Sequence, residues 1–483
     1  MDTLDVPVLI AGAGPAGLTA AVTLSRYGIP VLVADTRSAP STHAKATVVS
    51  TRSMELLRVL GMEQDTLAGG VDVEWLIWNC RTLTDVADGS GTYLGYPTRA
   101  QAARLSPSYV ACVPQDHLES VLLRRLSRVP SAQVRFGLEV REVQSTAEGA
   151  AAVLRDVVTG QRQVVNARYL VVADGARSAI RQHLDIAMRG PETVMTFASA
   201  QFRAPLWETL GGHKYGLYNV AHPGAEGTFF PAGVGDRWLY AVFFDSPHSP
   251  RPAAEVDFVR RIRIGAGMPN LPVSVEKFGP STAGAQLASE FRRGAAFLVG
   301  DAAHRVSPRG GTGMNMAIHG AYDLGWKLAW ALRGWAHARI LDSYEADRRP
   351  PAAHNVVRSA DPQGTEREVE RELRIDLNGR VPHAWLETTG ESVSTIDLVG
   401  PGLTLFTGQS AGDWLSAASA VRDEIPIAVR SLDASAAQAV ALKDGDALLV
   451  GPDGRPIARW QAHVNAVEAL SAAVAAVARG KLR

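Results

Sequence analysis

The stretch Val6–Val22, "VPVLIAGAGPAGLTAAV", constrains the fold more than any other part of the chain. Gly12, Gly14 and Gly17 stand there in the spacing G-x-G-x-x-G, between an apolar run and a helix-forming one. Gly12 permits a tight turn, Gly14 a close approach of backbone to a pyrophosphate, and Gly17 close packing of helix on strand. The run Val6–Ala11 reads as a buried strand, Pro15–Arg26 as a helix closed by Gly28, and Pro30–Ala34 as a second buried strand. Asp35 ends that βαβ unit at the distance where a carboxylate takes ribose hydroxyls. The expected class is α/β with a Rossmann-like dinucleotide-binding domain. The fingerprint by itself fits NAD and FAD alike.

A chain of 483 residues exceeds one core, and at roughly 150 residues per domain it holds about three units. Further apolar runs at "FGLEVREVQ", "ARYLVVADGARSAIR" and "GAAFLVGDAAH" supply strands to the same sheet from distant parts of the chain, so a second domain is inserted between them. Residues 72–97 and 189–272 are rich in Trp, Tyr, Phe, Thr and Val and broken by turns such as "HPGAEG" and "VGDR", the pattern of an antiparallel sheet. In "RWLYAVFF", Trp238, Tyr240 and Val242 share one face and Leu239, Ala241 and Phe243 the other, which predicts that both faces are covered. Residues 1–71, 98–188 and 273–375 are assigned to the nucleotide-binding domain, and 376–483 to a third unit. That unit ends in an alanine-rich helix whose apolar stripe is Val464, Val467, Leu470, Val474 and Val477.

Composition excludes several classes. Forty-nine Lys and Arg balance 49 Asp and Glu, so nothing in the charge predicts a nucleic-acid or anionic lipid partner. Cys80 and Cys112 fit neither a metal site nor a CxxC pair, and two free thiols in a reducing cytoplasm are expected, with no metal. The apolar opening carries Asp2 and Asp5 rather than a basic n-region, and no run reaches the ~18 apolar residues of a membrane span. Whether the chain is a monomer or a homodimer stays open.

Two downstream strand ends separate the cofactors. "VVADGARSAIR" and "VGDAAHRVSP" each finish on a carboxylate beside a glycine, Asp174-Gly175 and Gly300-Asp301. Both belong at the carboxyl edge of the sheet, where ligands bind. A long, bent dinucleotide touching three strand ends suits FAD better than NAD. The glycines of "SPRGGTGMN" then open a helix, whose N-terminal amides and dipole seat something polar or anionic.

Taken in order, "GAGPAG", "DGARSAIR" and "GDAAHRVSPRGGTGMN", with "KATVVSTRSMELLRVLG" and "VPQDHLESVLL", resemble the one-component flavoprotein aromatic hydroxylases. This is the group of para-hydroxybenzoate hydroxylase, and the likeness is strongest to the branch that tailors aromatic polyketides and antibiotics. "STIDLVGPGLTLF" and "DALLVGPDG" are similar to that branch's thioredoxin-like C-terminal domain, here without a CxxC. The resemblance implies FAD bound by Gly12, Gly14, Pro15, Ala16 and Gly17, with Asp35 and Thr36 at the adenosine ribose. It implies Arg37, Lys45 and Arg52 near the phosphates or flavin ring, Gln115 at the ribityl and pyrophosphate, and backbone near Val140 at the adenine. Asp174 and Asp301 would complete the groove, Pro308 would lie by the isoalloxazine, and Gly311, Thr312, Gly313, Met314 and Asn315 would aim a helix start at its pyrimidine edge. The glycines would keep side chains out of that approach.

The implied activity is NAD(P)H-driven insertion of one atom of O2 into a phenolic or quinone polyketide-like aromatic, through a C4a-hydroperoxyflavin. Baeyer–Villiger or decarboxylative oxygenation, and a flavin oxidoreductase that inserts no oxygen, are the alternatives. NADPH or NADH would bind transiently, since no second G-x-G-x-x-G is present. A halogenase is disfavoured by the absence of Trp-x-Trp-x-Ile-Pro. No protein nucleophile is required, so no catalytic side chain is assigned, and His304 and His319 read as hydrogen-bonding spacers. His319-Gly320 stand where family members often carry Gln-Asp. Trp75, Trp78, Tyr215, Tyr218, Phe229 and Phe230 are the candidates for an apolar substrate wall, with core packing as the competing role.

Overall fold

The computed structural model describes residues 3–244, 257–364, 368–388, 391–410, 412–421 and 425–482. Its first sheet has the strand order Arg292–Arg293, Ala296–Leu298, Arg162–Val172, Thr3–Ala11, Val31–Asp35, Ala132–Phe136. The four strands from Ala296–Leu298 to Val31–Asp35, and the edge strand Ala132–Phe136, run parallel. Continuous apolar sequence at Val8–Ala11 and Val31–Ala34 follows from that arrangement, because parallel strands are covered on both faces. Helix α1, Pro15–Arg26, begins with proline in its first turn and packs against the long helix that follows the glycine cluster. "FGLEVREVQ" departs from expectation. Its strand Leu138–Ser145 pairs antiparallel with Ala150–Asp156 as a flap on Arg162–Val172, and Ala132–Phe136 takes the parallel edge instead.

The second sheet has seven strands, in the order Ser274–Ala283, Met195–Arg203, Arg237–Phe243, Gly227–Pro231, Tyr215–Val220, Glu74–Cys80, Ser90–Tyr93. It is antiparallel except where Tyr215–Val220 meets Glu74–Cys80, a strand brought from far upstream. The sequence reading puts Ser274–Ala283 in the nucleotide-binding domain. Its pairing with Met195–Arg203 puts it in this sheet.

In the third unit the sheet order is Ile427–Ser431, Leu403–Thr407, Ala447–Val450, Pro456–Trp460, with the first two parallel and the rest antiparallel. In the final helix, Ala466–Ala478, Leu470, Val474 and Val477 are buried as expected, whereas Val467 faces solvent and Val464 precedes the helix. Leu403, Leu405, Leu449 and Leu470 join the same apolar core as Val8 and Leu170. The third unit is therefore fused to the first rather than hung from it. A buried charge network reinforces the seam: Lys327, fully buried, binds Asp323 at 2.8 Å and Asp347 at 2.7 Å, and Arg455 of the third unit binds Asp347.

Candidate functional site

Three glycines begin the site and have three different reasons. Gly12 has φ +109°, and a Cβ there would lie 2.3 Å from the Ala173 carbonyl oxygen. A Cβ on Gly17 would lie 1.9 Å from the oxygen of Gly12. These two are demanded by the protein's own packing. A Cβ on Gly14 would meet nothing within 4 Å, and no side chain caps α1, so its first-turn amides have no side-chain acceptor. That is a cradle with room for an anion.

Asp35 lies beside it, buried, accepting from the amides of Ala13 at 2.7 Å and Arg37 at 2.8 Å. Burial pushes its carboxyl up, but hydrogen bonds from the Arg37 side chain and these amides prevail and hold it below the ordinary carboxylate range. Thr36 is exposed next to it. Arg37 also reaches Glu119 and the Ala13 carbonyl, so its guanidinium is engaged beside Asp35. Glu119 was not found by sequence. It stands one helical turn after Gln115 and accepts that side chain's amide at 2.8 Å.

Asp301 is exposed to solvent in this structure, while desolvation by the surrounding protein raises its pKa against the opposing charges of Lys45 and Arg305. Lys45 is exposed and left-handed at φ +41°. Its loop is held from the second sheet: Gln201 accepts from the Ala44 amide at 2.9 Å and donates to Thr42 O at 3.1 Å. Arg237 donates to the same Thr42 carbonyl. Gln201 and Arg237 had no motif to betray them.

The glycine cluster opens helix α2, Gly313–Arg333, after an exposed Pro308. Thr312 is the N-cap residue and makes no capping bond, so the first turn's amides are available. The glycines also have a reason within the protein itself. Gly310 and Gly311 have φ +81° and +60°, and Cβ atoms there would come within 2.9 Å of the Arg358 guanidinium and 2.8 Å of Tyr96 Oη. At Gly313 a Cβ would press on Val306. Protein neighbours and positive φ are by themselves enough to favour glycine at 310 and 311. Met314 and Asn315 are buried, and the Asn315 side chain ties the helix start to its neighbours.

Three further candidates have these settings, and the Asp174 backbone N stands 3.3 Å from where a Cβ on Gly12 would be. Arg52 turns away from the groove to Glu55 at 2.7 Å and the Asp453 carbonyl at 2.6 Å, drawn by a buried carboxylate that also holds Arg380. Asp174 accepts from Ser178 Oγ and the Ile180 amide, capping the short helix Ala179–His183. Val140 sits on the antiparallel flap.

The aromatic candidates divide by strand alternation. Tyr218 and Phe229 are fully buried in the second domain's core with Trp238 and Tyr240, and Trp78 stacks on Tyr215 at 4.2 Å against the same core. These four are structural. Phe230 and Leu239 lie on the opposite face with Ala44, and Trp75 packs 5.1 Å from Tyr96. A cavity of about 790 Å³ opens there, lined by Trp75, Tyr93, Tyr96, Arg99, Tyr109 and Lys214. Tyr96 donates to Gly310 O at 2.5 Å, joining the cavity wall to the glycine cluster. "TYLGYP" and "PSYV" were the overlooked signals for Tyr93, Tyr96 and Tyr109.

Both cysteines are buried, which pushes Cys80 up to about 11 and Cys112 up to about 12, so neither is a nucleophile at neutral pH. Among the described residues, no cluster of three or more His, Cys, Asp or Glu converges on a metal-sized site, and no helix is long and apolar enough to cross a membrane.

The open space at Gly14, the deep Asp35, Asp301 under the charge of Lys45 and a second uncapped helix start fit an extended dinucleotide. Residues 5–359 match the family described as FAD binding domain, and residues 377–479 that described as aromatic-ring hydroxylase, C-terminal. A tetracenomycin A2 monooxygenase-dioxygenase from Streptomyces glaucescens is 30% identical, covering 94% of this chain and 90% of its own. Aklavinone 12-hydroxylase DnrF from Streptomyces peucetius subsp. caesius is 31% identical, covering 86% of this chain and 94% of its own. A ternary complex of aklavinone-11 hydroxylase with FAD and aklavinone matches with a TM-score of 0.87 at 27% identity, over 99% of this chain and 100% of that one.

Proposed function

The chain belongs to the aromatic-ring hydroxylases with an FAD binding domain, and from that premise we propose that it places one atom of O2 on a polycyclic phenolic or quinone substrate in polyketide tailoring. FAD is its cofactor. When bound, FAD supplies the redox chemistry, taking electrons from NADPH or NADH and activating O2. The protein binds, orients and excludes water.

Each part has a candidate. The amides opening α1 receive the pyrophosphate, and Asp35 takes the adenosine ribose. Asp301 and Lys45 frame the middle of the groove. The uncapped start of α2 offers donors and a positive dipole end to the electron-rich pyrimidine edge of the ring, a preorganised field that costs no rearrangement during reaction. The aromatic cavity holds a flat substrate against Trp75, with Phe230 farther along the same sheet face. Names of relatives that act on tetracenomycin A2 and aklavinone support that substrate class. For the domains, we extend the substrate unit to residue 283 on the strength of its strand pairing.

One observation carries the reading: Tyr96 is at once a wall of the 790 Å³ cavity and a hydrogen-bond partner of the Gly310 carbonyl. In this reading, substrate space and flavin seat are adjacent. The test is turnover of polycyclic phenols and quinones with FAD, NADPH and ¹⁸O2. One labelled oxygen in the product supports the proposal, and its position separates ring hydroxylation from insertion into a carbon–carbon bond. NADPH oxidation that yields unlabelled product overturns it.

A further inference from the structure

The side chain of Asn315 is saturated. Its Oδ1 accepts from the Ser50 amide at 2.8 Å and from Ser53 Oγ at 2.8 Å, while its Nδ2 donates to Gly311 O at 2.9 Å and Val48 O at 3.1 Å. A flip of this amide would set donor against donor at Ser50 and oxygen against oxygen at both carbonyls, so its orientation decides where the Gly311 carbonyl sits. Three of the four partners are fixed by the backbone. The fourth, Ser53, has a hydroxyl that rotates.

His319 Nε2 lies 3.0 Å from Ser53 Oγ and 3.9 Å from Asp376 Oδ1. Ser53 has one proton. If Nε2 were an acceptor, it would compete with Asn315 for that proton. If Nε2 carries hydrogen, it donates to Ser53 and leaves the hydroxyl to point at Asn315. Asp376 favours the second state, because its carboxylate faces Nε2 and is itself pinned by Ser50 Oγ at 2.8 Å and the Arg52 amide at 2.9 Å. Burial and the charges of Arg348 and Arg52 depress His319, so the ring is neutral with a single N–H to place.

We propose that His319, as the neutral Nε2–H tautomer selected by Asp376, is a positioning residue for FAD that acts through Ser53 and Asn315 to hold the Gly311 loop at the start of α2. It touches no substrate. The relay explains why His at position 319 is compatible with this site: a glutamine there would present a donor of similar reach. The inference rests on FAD as the cofactor and is independent of substrate and of oxygen insertion.

The test measures the FAD dissociation constant by flavin fluorescence on apoprotein, for wild type, H319Q, H319L, S53A and the double variant S53A/H319L, with the thermal melt of each apoprotein alongside. H319L and S53A are expected to raise Kd about tenfold, H319Q to stay within about twofold of wild type, and the double variant to resemble either single one, because the links are in series. If H319L does not fold, S53A reads the same link. Selective ¹⁵N labelling of histidine should show the neutral, Nε2-protonated ring in apoprotein. Equal losses for H319Q and H319L, additive losses in the double variant, an unchanged Kd in S53A, or an Nδ1-protonated ring would each overturn the proposal.

Discussion

Replacing Gly14 by valine should abolish tight FAD binding while leaving the apoprotein intact. Gly14 has φ −81° and ψ −176°, a conformation open to any residue, and a Cβ there meets no atom within 4 Å. The folded chain therefore tolerates a side chain, to within about 0.5 kcal/mol. The ligand does not, because the added methyls occupy the space into which the first amides of α1 point. A hydrogen bond to a charged group is worth about 1.5–3 kcal/mol, so losing one pyrophosphate contact weakens FAD roughly 10- to 100-fold. At an FAD concentration of about 100 times the wild-type Kd, ligand stabilises wild type by about 2.7 kcal/mol. For a variant weakened 100-fold the same concentration gives about 0.4 kcal/mol. G12A is the contrast: φ +109° and a Cβ 2.3 Å from Ala173 O should cost the apoprotein about 2 kcal/mol or more. Melts of both apoproteins with and without FAD read all four quantities. Undiminished FAD stabilisation of G14V, or an apoprotein melt as low as that of G12A, would show that the space beside Gly14 is not the pyrophosphate seat.

K327M takes one of the cations from Asp323 and Asp347 at the buried seam, leaving them with Arg455, and should destabilise the protein by about 3–5 kcal/mol in urea melts. R52A should leave FAD affinity within about twofold of wild type, since Arg52 is turned toward Asp453; it should lower stability by about 1–3 kcal/mol as Glu55 loses one of its two arginines. Burial raises Asp376 from 3.8 to about 6, so between about pH 4 and 6 the folded state binds a proton that the unfolded chain releases. This carboxyl's contribution to stability is therefore present below pH 4 and declines as pH rises to 6. Relative to D376N, wild type should lose on the order of 2–3 kcal/mol across that window in pH-dependent unfolding, and parallel profiles would contradict it.

The glycine fingerprint, the first βαβ unit and the order of the flavin motifs were legible because each is a local demand of the backbone. A turn that needs φ +109° at Gly12 next to a strand leaves its signature within a few residues. The assignment to a sheet was less legible at Ser274–Ala283, where the pairing partner, Met195–Arg203, lies far upstream in the chain. Trp78 and Trp75 illustrate the limit within one strand. Alternation predicts that they face opposite ways, but both faces of the sheet are apolar, so nothing local says which one meets the groove.

The sequence by itself determined a dinucleotide-binding α/β chain with an inserted sheet and a second helix start rich in glycine. Tertiary structure alone decided where the charges went. Arg52 and Arg380 meet on Glu55, Arg455 joins Lys327 and its carboxylates, and Arg37 closes on Asp35 and Glu119. A guanidinium's partner depends on which segments pack within a few ångströms of it. That distance is unrelated to separation along the chain.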